Sequence, residues 1–310
     1  MSVSLMLFLE ILKLFLMCAM GFGIVKAGIL KSSDSGPLSA IVLYIVCPCV
    51  YLNAYQADYD PVQARSLLVT FIAAVIIVSA CLIICTLLSR PLHLSDVEVT
   101  SAAYSNAGNM IIPIISSMLG EEWVFYTTAL VTVQMFFFWT HMASVFSGKF
   151  DLKKILTNVN MISVFAAVLL YLFRIRIPAT LLGALRSTAS MIGPLSMIIT
   201  GMLLANVDFR EVFSRKRAWL VAALRLLILP LLLLPLFILI CRVSSMADSH
   251  LIMMIVFLGS SSAGASTVVQ MARLYHHDAE YAGALNVLTT MLCIFTMPLM
   301  VGIYNYFLPV

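Results

Sequence analysis

Residues 66–89 read S-L-L-V-T-F-I-A-A-V-I-I-V-S-A-C-L-I-I-C-T-L-L-S, with no charged side chain anywhere in the run. A helix rising 1.5 Å per residue crosses the hydrocarbon core of a bilayer in about 20 residues, and this run exceeds that length. Similar apolar runs recur to the end of the chain, at approximately 4–26, 35–56, 62–89, 95–119, 121–147, 158–174, 180–206, 216–243, 248–275 and 278–308. Composition agrees: 62% of residues are hydrophobic and 10% are charged, where a soluble domain carries about 25% charged residues. The chain cannot cover a water-facing surface of its own size. A soluble enzyme, a secreted disulfide scaffold, a nucleic-acid binder and a disordered protein are thereby set aside. An all-α integral membrane protein of about ten spans is expected, because a helix satisfies its backbone without water.

The remaining composition points to no cofactor. Cys18, Cys47, Cys49, Cys81, Cys85, Cys241 and Cys293 all fall in apolar runs and form no C-x-x-C pair. No histidine or carboxylate stands beside them to complete a metal site. The net charge of +4 is spread too thinly for a nucleic-acid partner. The first apolar run lacks a basic leader and a small-residue cleavage site, so no cleavable signal peptide is expected. Motifs of hydrolases, phosphate loops and dinucleotide sites are missing, and the chain does not read as an enzyme.

Basic residues set the orientation. Loops 26–34, 90–94, 148–157, 207–217 and 273–277 hold eleven of the eighteen: Lys26, Lys31, Arg90, Lys149, Lys153, Lys154, Arg210, Arg215, Lys216, Arg217 and Arg273. The opposite loops hold five, namely Arg65, Arg174, Arg176, Arg186 and Arg242, and Lys13 and Arg225 lie within spans. The richer side is expected in the cytoplasm, with both termini outside. The linker 148–157 divides the chain into halves 1–147 and 158–310 of five spans each. An odd count inverts the second half relative to the first. Pro48 and Pro194 fall mid-span in the second segment of each half, and each fourth segment holds a glycine among small polar residues. An internal repeat of this kind is a signature of inverted-repeat transporters.

The fourth segment carries the most informative stretch, S-N-A-G-N-M-I-I-P at 105–113. The ring of Pro113 clashes with the carbonyl of Asn109, and Gly108 adds backbone freedom. Asn106 and Asn109 are costly in mid-membrane unless they find partners. The stretch reads equally as a broken helix facing a ligand or as a proline kink. Its counterpart, Gly259 to Ser266, contains Ser262, Gly264 and Ser266 but no proline. It reads as a second unwound segment or as a tight contact through small residues. Two half-helix N-termini meeting at the midplane would favour an anion without a formal cation. Ionisable residues in spans are Glu10 and Lys13, expected to pair; His141, expected to be structural; and Arg225, expected to snorkel toward the basic side. Gln134 is a weaker cavity candidate.

These pieces resemble the auxin efflux carrier family, in its short microbial members, over nearly the whole chain. The resemblance rests on Y-I-V-C-P-C-V-Y-L around Pro48, S-N-A-G-N-M-I-I-P-I at 105–114, N-V-N at 158–160, I-G-P-L-S-M-I-I-T-G-M-L-L-A at 192–205, A-R-L-Y-H-H-D-A-E-Y-A at 272–282 and T-T-M-L-C-I-F-T-M-P-L at 289–299. It implies ten spans in two inverted repeats, with crossed, broken helices 4 and 9. Spans 1, 2, 6 and 7 would form a dimerising scaffold, and the others a transport domain that moves like an elevator in the plasma membrane. The implied substrates are organic anions: auxin in plants, small carboxylates such as malate or malonate in microbial relatives. Asn106 and Pro113 match the family's first crossing helix, and Asn158 or Asn160 a polar position opening span 6. Ser262 and Ser266 stand where relatives often carry proline and asparagine, a departure from the family's pattern at the second break. A non-transporting receptor and a sodium-coupled symporter on a related fold remain the alternative functions.

Overall fold

The computed structural model describes residues 3–148, 157–244 and 248–308. Of the expected linker, residues 149–156 lie outside the described residues. Thirteen helices account for nearly all the rest, in the order α1 (Val3–Lys26), α2 (Ser32–Ala54), α3 (Pro61–Leu92), α4 (Asp96–Ala103), α5 (Ala107–Met118), α6 (Glu121–Ser147) and α7 (Val159–Leu172). There follow α8 (Ala179–Leu204), the short α9 (Phe209–Ser214), α10 (Lys216–Val243), α11 (Ser249–Ser261), α12 (Ser266–Leu274) and α13 (Ala279–Phe307). Seven of these are long and apolar enough to cross a membrane, and α5, α7 and α11 are shorter apolar helices. The chain is an all-helical, multi-pass membrane protein.

Local sequence sets the helix ends. Asp60 caps α3 by accepting from the Val62 amide at 2.9 Å, with Pro61 at the first helical position, where its missing N–H costs nothing. Ser95 and Glu98 form a reciprocal capping box on α4. Asn158 caps α7 by accepting from the amides of Asn160 and Met161 at 3.0 and 3.2 Å. Inside the helices, three of the prolines coincide with a local widening of the turn. Wide π turns at Val42–Val46, Ala107–Ile111 and Leu224–Ile228 each end two residues before a proline: Pro48, Pro113 and Pro230. A proline withdraws one donor and crowds the preceding turn, and the i→i−5 register absorbs the misfit.

Packing depends on small residues where backbones approach. A Cβ added at Gly21 of α1 would overlap the carbonyl of Ile198 in α8, and one at Gly201 would overlap the carbonyl of Cys18. The two helices therefore meet backbone to backbone, the close approach that glycine permits between membrane helices. α2 lies against α7 and α8, while α3 packs on α6, α10 on α11, and α13 on α12 and α1. Along α3, Ala73, Ala74, Ile77, Cys81 and Cys85 face inward, whereas Leu68, Ile72, Ile83 and Leu87 are exposed. Such an outer surface suits lipid and not water.

Candidate functional site

The centre of the molecule is a crossing of two interrupted helices. α4 stops at Ala103 and α5 begins at Ala107; α11 stops at Ser261 and α12 begins at Ser266. The extended residues between them pair as a single antiparallel bridge, Ser105 opposite Gly264. The Asn106 amide donates to the Ala263 carbonyl at 2.9 Å, and the Ala265 amide to the Tyr104 carbonyl at 3.0 Å. Each break thus lends the other the partners its own helix has given up, which is what a buried backbone requires. The second segment opens without a proline. Its Gly264 is gripped from α13, where the Thr289 hydroxyl accepts from the Gly264 amide at 3.1 Å and Asn286 donates to the Gly264 carbonyl at 2.6 Å.

Arg225 closes the other side of the crossing. It is 1% exposed, so it does not snorkel. Its guanidinium donates to the Ser262 carbonyl at 3.0 Å, to those of Ala102 and Ala103 at 3.2 and 3.3 Å, and to that of Gly259 at 3.3 Å. These are the carbonyl ends of α4 and α11, which carry the negative pole of each half-helix. The fork of a guanidinium suits several acceptors at once, whereas the stem of a snorkelling arginine would leave them unpaired. The expectation of a crossing without a formal cation is therefore corrected.

The opposite poles, the N-termini of α5 and α12, border a cavity of about 420 Å³. Asn106, Gly108 and Asn109 line it from α5, and Ser266 and Gln270 from α12. Gln134 of α6, Asn158 and Asn160 at α7, Ser196 and Thr200 of α8, and Asn286 of α13 complete its polar wall. Phe138, Trp139, Tyr44 and Leu203 supply apolar surface. No carboxylate, lysine, arginine or histidine lines this cavity among the described residues. Asn109 spans it weakly, donating to Ser266 Oγ and accepting from Ser196 Oγ, both at 3.5 Å. Gln134 bonds the Ser105 hydroxyl at the bridge. Asn160 is 3% exposed, and its Oδ1 has no hydrogen-bond partner.

The remaining sequence candidates lie elsewhere. Ser262 is fully buried and is not among the residues lining this cavity; its hydroxyl donates to the Gly259 carbonyl at 2.9 Å. Gly264 is likewise occupied by the crossing. Pro113 and Pro194 border a second cavity of about 240 Å³ with Glu10, Lys13, Asn53 and Glu121, and Pro48 lines neither. Glu10 and Lys13 pair at 2.6 Å, and Ser117 of α5 donates to Glu10 at 2.5 Å. His141 Nδ1 lies 3.0 Å from the Tyr104 hydroxyl, outside the lining of the 420 Å³ cavity. Sequence reasoning missed Gln270, Asn286, Ser196 and Thr200. The two amides, isolated in the ninth and tenth apolar segments, carried the same signal that singled out Asn106.

Among the described residues, no cluster of histidine, cysteine or carboxylates is arranged to hold a metal ion. A second ionic group ties the basic end of the bundle together. Glu98 of α4, 2% exposed, receives Arg217 of α10 at 2.8 and 2.7 Å and the Tyr281 hydroxyl of α13 at 2.9 Å.

The family model described as membrane transport protein matches residues 6–149 and 143–301. The chain belongs to this family, that of the auxin efflux carriers. A search of curated proteins finds no match. As a member of a transporter family, this chain is a membrane transport protein. The two matched stretches overlap at 143–149.

Proposed function

We propose that this family member is a secondary transporter of a small organic anion, a carboxylate, bound in the 420 Å³ cavity at the crossing. The observation that carries the proposal is the polarity of that cavity: two helix N-termini and a set of amide and hydroxyl groups, with no carboxylate among the described lining residues. First-turn N–H groups have no intrahelical acceptor and favour negative charge. Asn106, Asn109, Ser266 and Asn160 are the proposed substrate contacts.

The packing supports ten spans in two inverted halves, counting α4 with α5 and α11 with α12 as interrupted spans. α1 lies on α8 as α2 lies on α7, a reciprocal pattern expected of a pseudo-twofold. In this reading α1, α2, α7 and α8 are the scaffold of a homodimer in the plasma membrane, and the crossing travels against it by an elevator-like shift. With the basic loops cytoplasmic and both termini outside, the cavity opens inward, since Ser39, Asn158 and Gln270 bring its lining toward that end. The Pro113–Gly193 contact then separates it from the outer cavity, because a Cβ on Gly193 would already lie 3.0 Å from Pro113.

Flux of labelled malate, malonate and benzoate into proteoliposomes tests the proposal. Wild type is expected to carry at least one. Asn106→Ala keeps the main-chain bond to Ala263 but removes the side-chain amide, and is expected to lose that flux. Absence of flux for every carboxylate would overturn the reading.

A further inference from the structure

Arg225 does more than fill space. Each interrupted helix presents two ends at the crossing, a carbonyl end with partial negative charge and an amide end with partial positive charge. The carbonyl ends, on the far side of the crossing, offset part of what the nearer amide ends contribute at a bound ligand. The guanidinium binds carbonyls of both interrupted helices, Ala102 and Ala103 of the first, Gly259 and Ser262 of the second. None of its four bonds goes to a carboxylate, and no ion pair is formed by Arg225 among the described residues. An arginine keeps its proton at any relevant pH. A full positive charge therefore sits behind the crossing, met by carbonyl dipoles and by the neighbouring thiols of Cys81, Cys85 and Cys293 and by no carboxylate among the described residues, while the amide ends face the cavity. We propose that Arg225 is the charge-selecting residue of this transporter: without touching the ligand, it makes the cavity prefer an anion over a neutral molecule of the same shape.

The inference rests on the transport reading and deepens it by assigning the source of anion preference. Burial explains why so costly a residue is kept here. An arginine in mid-membrane is expensive, and leucine or methionine would pack the same space, but neither would add positive potential at the cavity. At an effective dielectric of roughly 20, a charge about 10 Å from a ligand changes an anion's binding constant on the order of tenfold and leaves a neutral ligand's unchanged.

Arg225→Met and Arg225→Lys, purified in nanodiscs, are compared with wild type by ligand-induced thermal stabilisation, using benzoate against benzamide and malonate against malonamide. Wild type is expected to prefer each anion. Arg225→Lys, which keeps the charge but not the fork, is expected to retain that preference on a less stable protein. Arg225→Met is expected to lose about tenfold of it, with amide binding unchanged. A folded Arg225→Met that still prefers the anions, or a folded Arg225→Lys that binds anion and amide alike, would overturn the assignment. If wild type itself binds neither benzoate nor malonate, the transport reading fails at this site, a result distinguishable from failure of Arg225 alone.

Discussion

The two interruptions meet at one bridge but are opened by different forces. In the first, the segment itself resists continuous helix: Ser105, Asn106, Gly108 and Asn109 are poor helix formers, and Pro113 widens the turn Ala107–Ile111. In the second, no proline intervenes, and hydroxyls bond back to the helix they leave: Ser260 to Val256, Ser261 to Phe257 and Ser262 to Gly259. The extended conformation is then held from outside, by Asn286 and Thr289 on Gly264 and by Arg225 on the carbonyls of Gly259 and Ser262. A helix can be opened by its own sequence or by its neighbours. The first kind tolerates loss of any one neighbour; the second does not.

Asn286→Leu with Thr289→Val removes both side-chain partners of Gly264 and tests this contrast most severely. Each change leaves a buried backbone group unpaired at a cost of about 1–3 kcal/mol. A large fall in thermal stability is expected, read by unfolding in nanodiscs, and an unchanged melting temperature would place the support elsewhere. Pro113→Ala probes the first break and should do much less. The main-chain bonds of Asn106 to Ala263 and of Ala265 to Tyr104 survive it, so a stability change within about 1 kcal/mol is expected, with the crossing retained. Gly264→Ala should fall between the two. Its Cβ would lie 3.2 Å from the Ser101 carbonyl, close enough to shift the bridge by a few tenths of an ångström and lower flux while the protein remains folded. The smallest structural effect is expected for Asn109→Ala, whose two contacts are long. Melting temperature should hold within error while the KM for a transported carboxylate rises; an equal loss in both would make Asn109 structural.

Much of this was legible in the sequence, for identifiable reasons. Uncharged runs leave a chain no water-soluble option, so the membrane class follows from Arg65–Arg90 alone. Local chemistry marked the first break, because proline, glycine and asparagine act on their own segment. The second was ambiguous, since serines stabilise either a tight helix contact or an opening, and the decision lies with Asn286 and Thr289, some 25 residues downstream. Arg225 was misjudged for the same reason. A lone arginine in an apolar run reads as a snorkelling side chain unless one knows that four carbonyls converge on it. Ser262 and Gly264 were expected beside the substrate, yet their polar groups are bonded within the crossing.

A map of the protein in nanodiscs with a transported carboxylate bound tests the central claim most directly. Ligand density is expected within hydrogen-bonding distance of the first turns of both α5 and α12, beside Asn106 and Ser266, with Arg225 behind the bridge. Density confined to the cavity of Glu10 and Lys13, or helices running unbroken through residues 104–106 and 262–265, would contradict it.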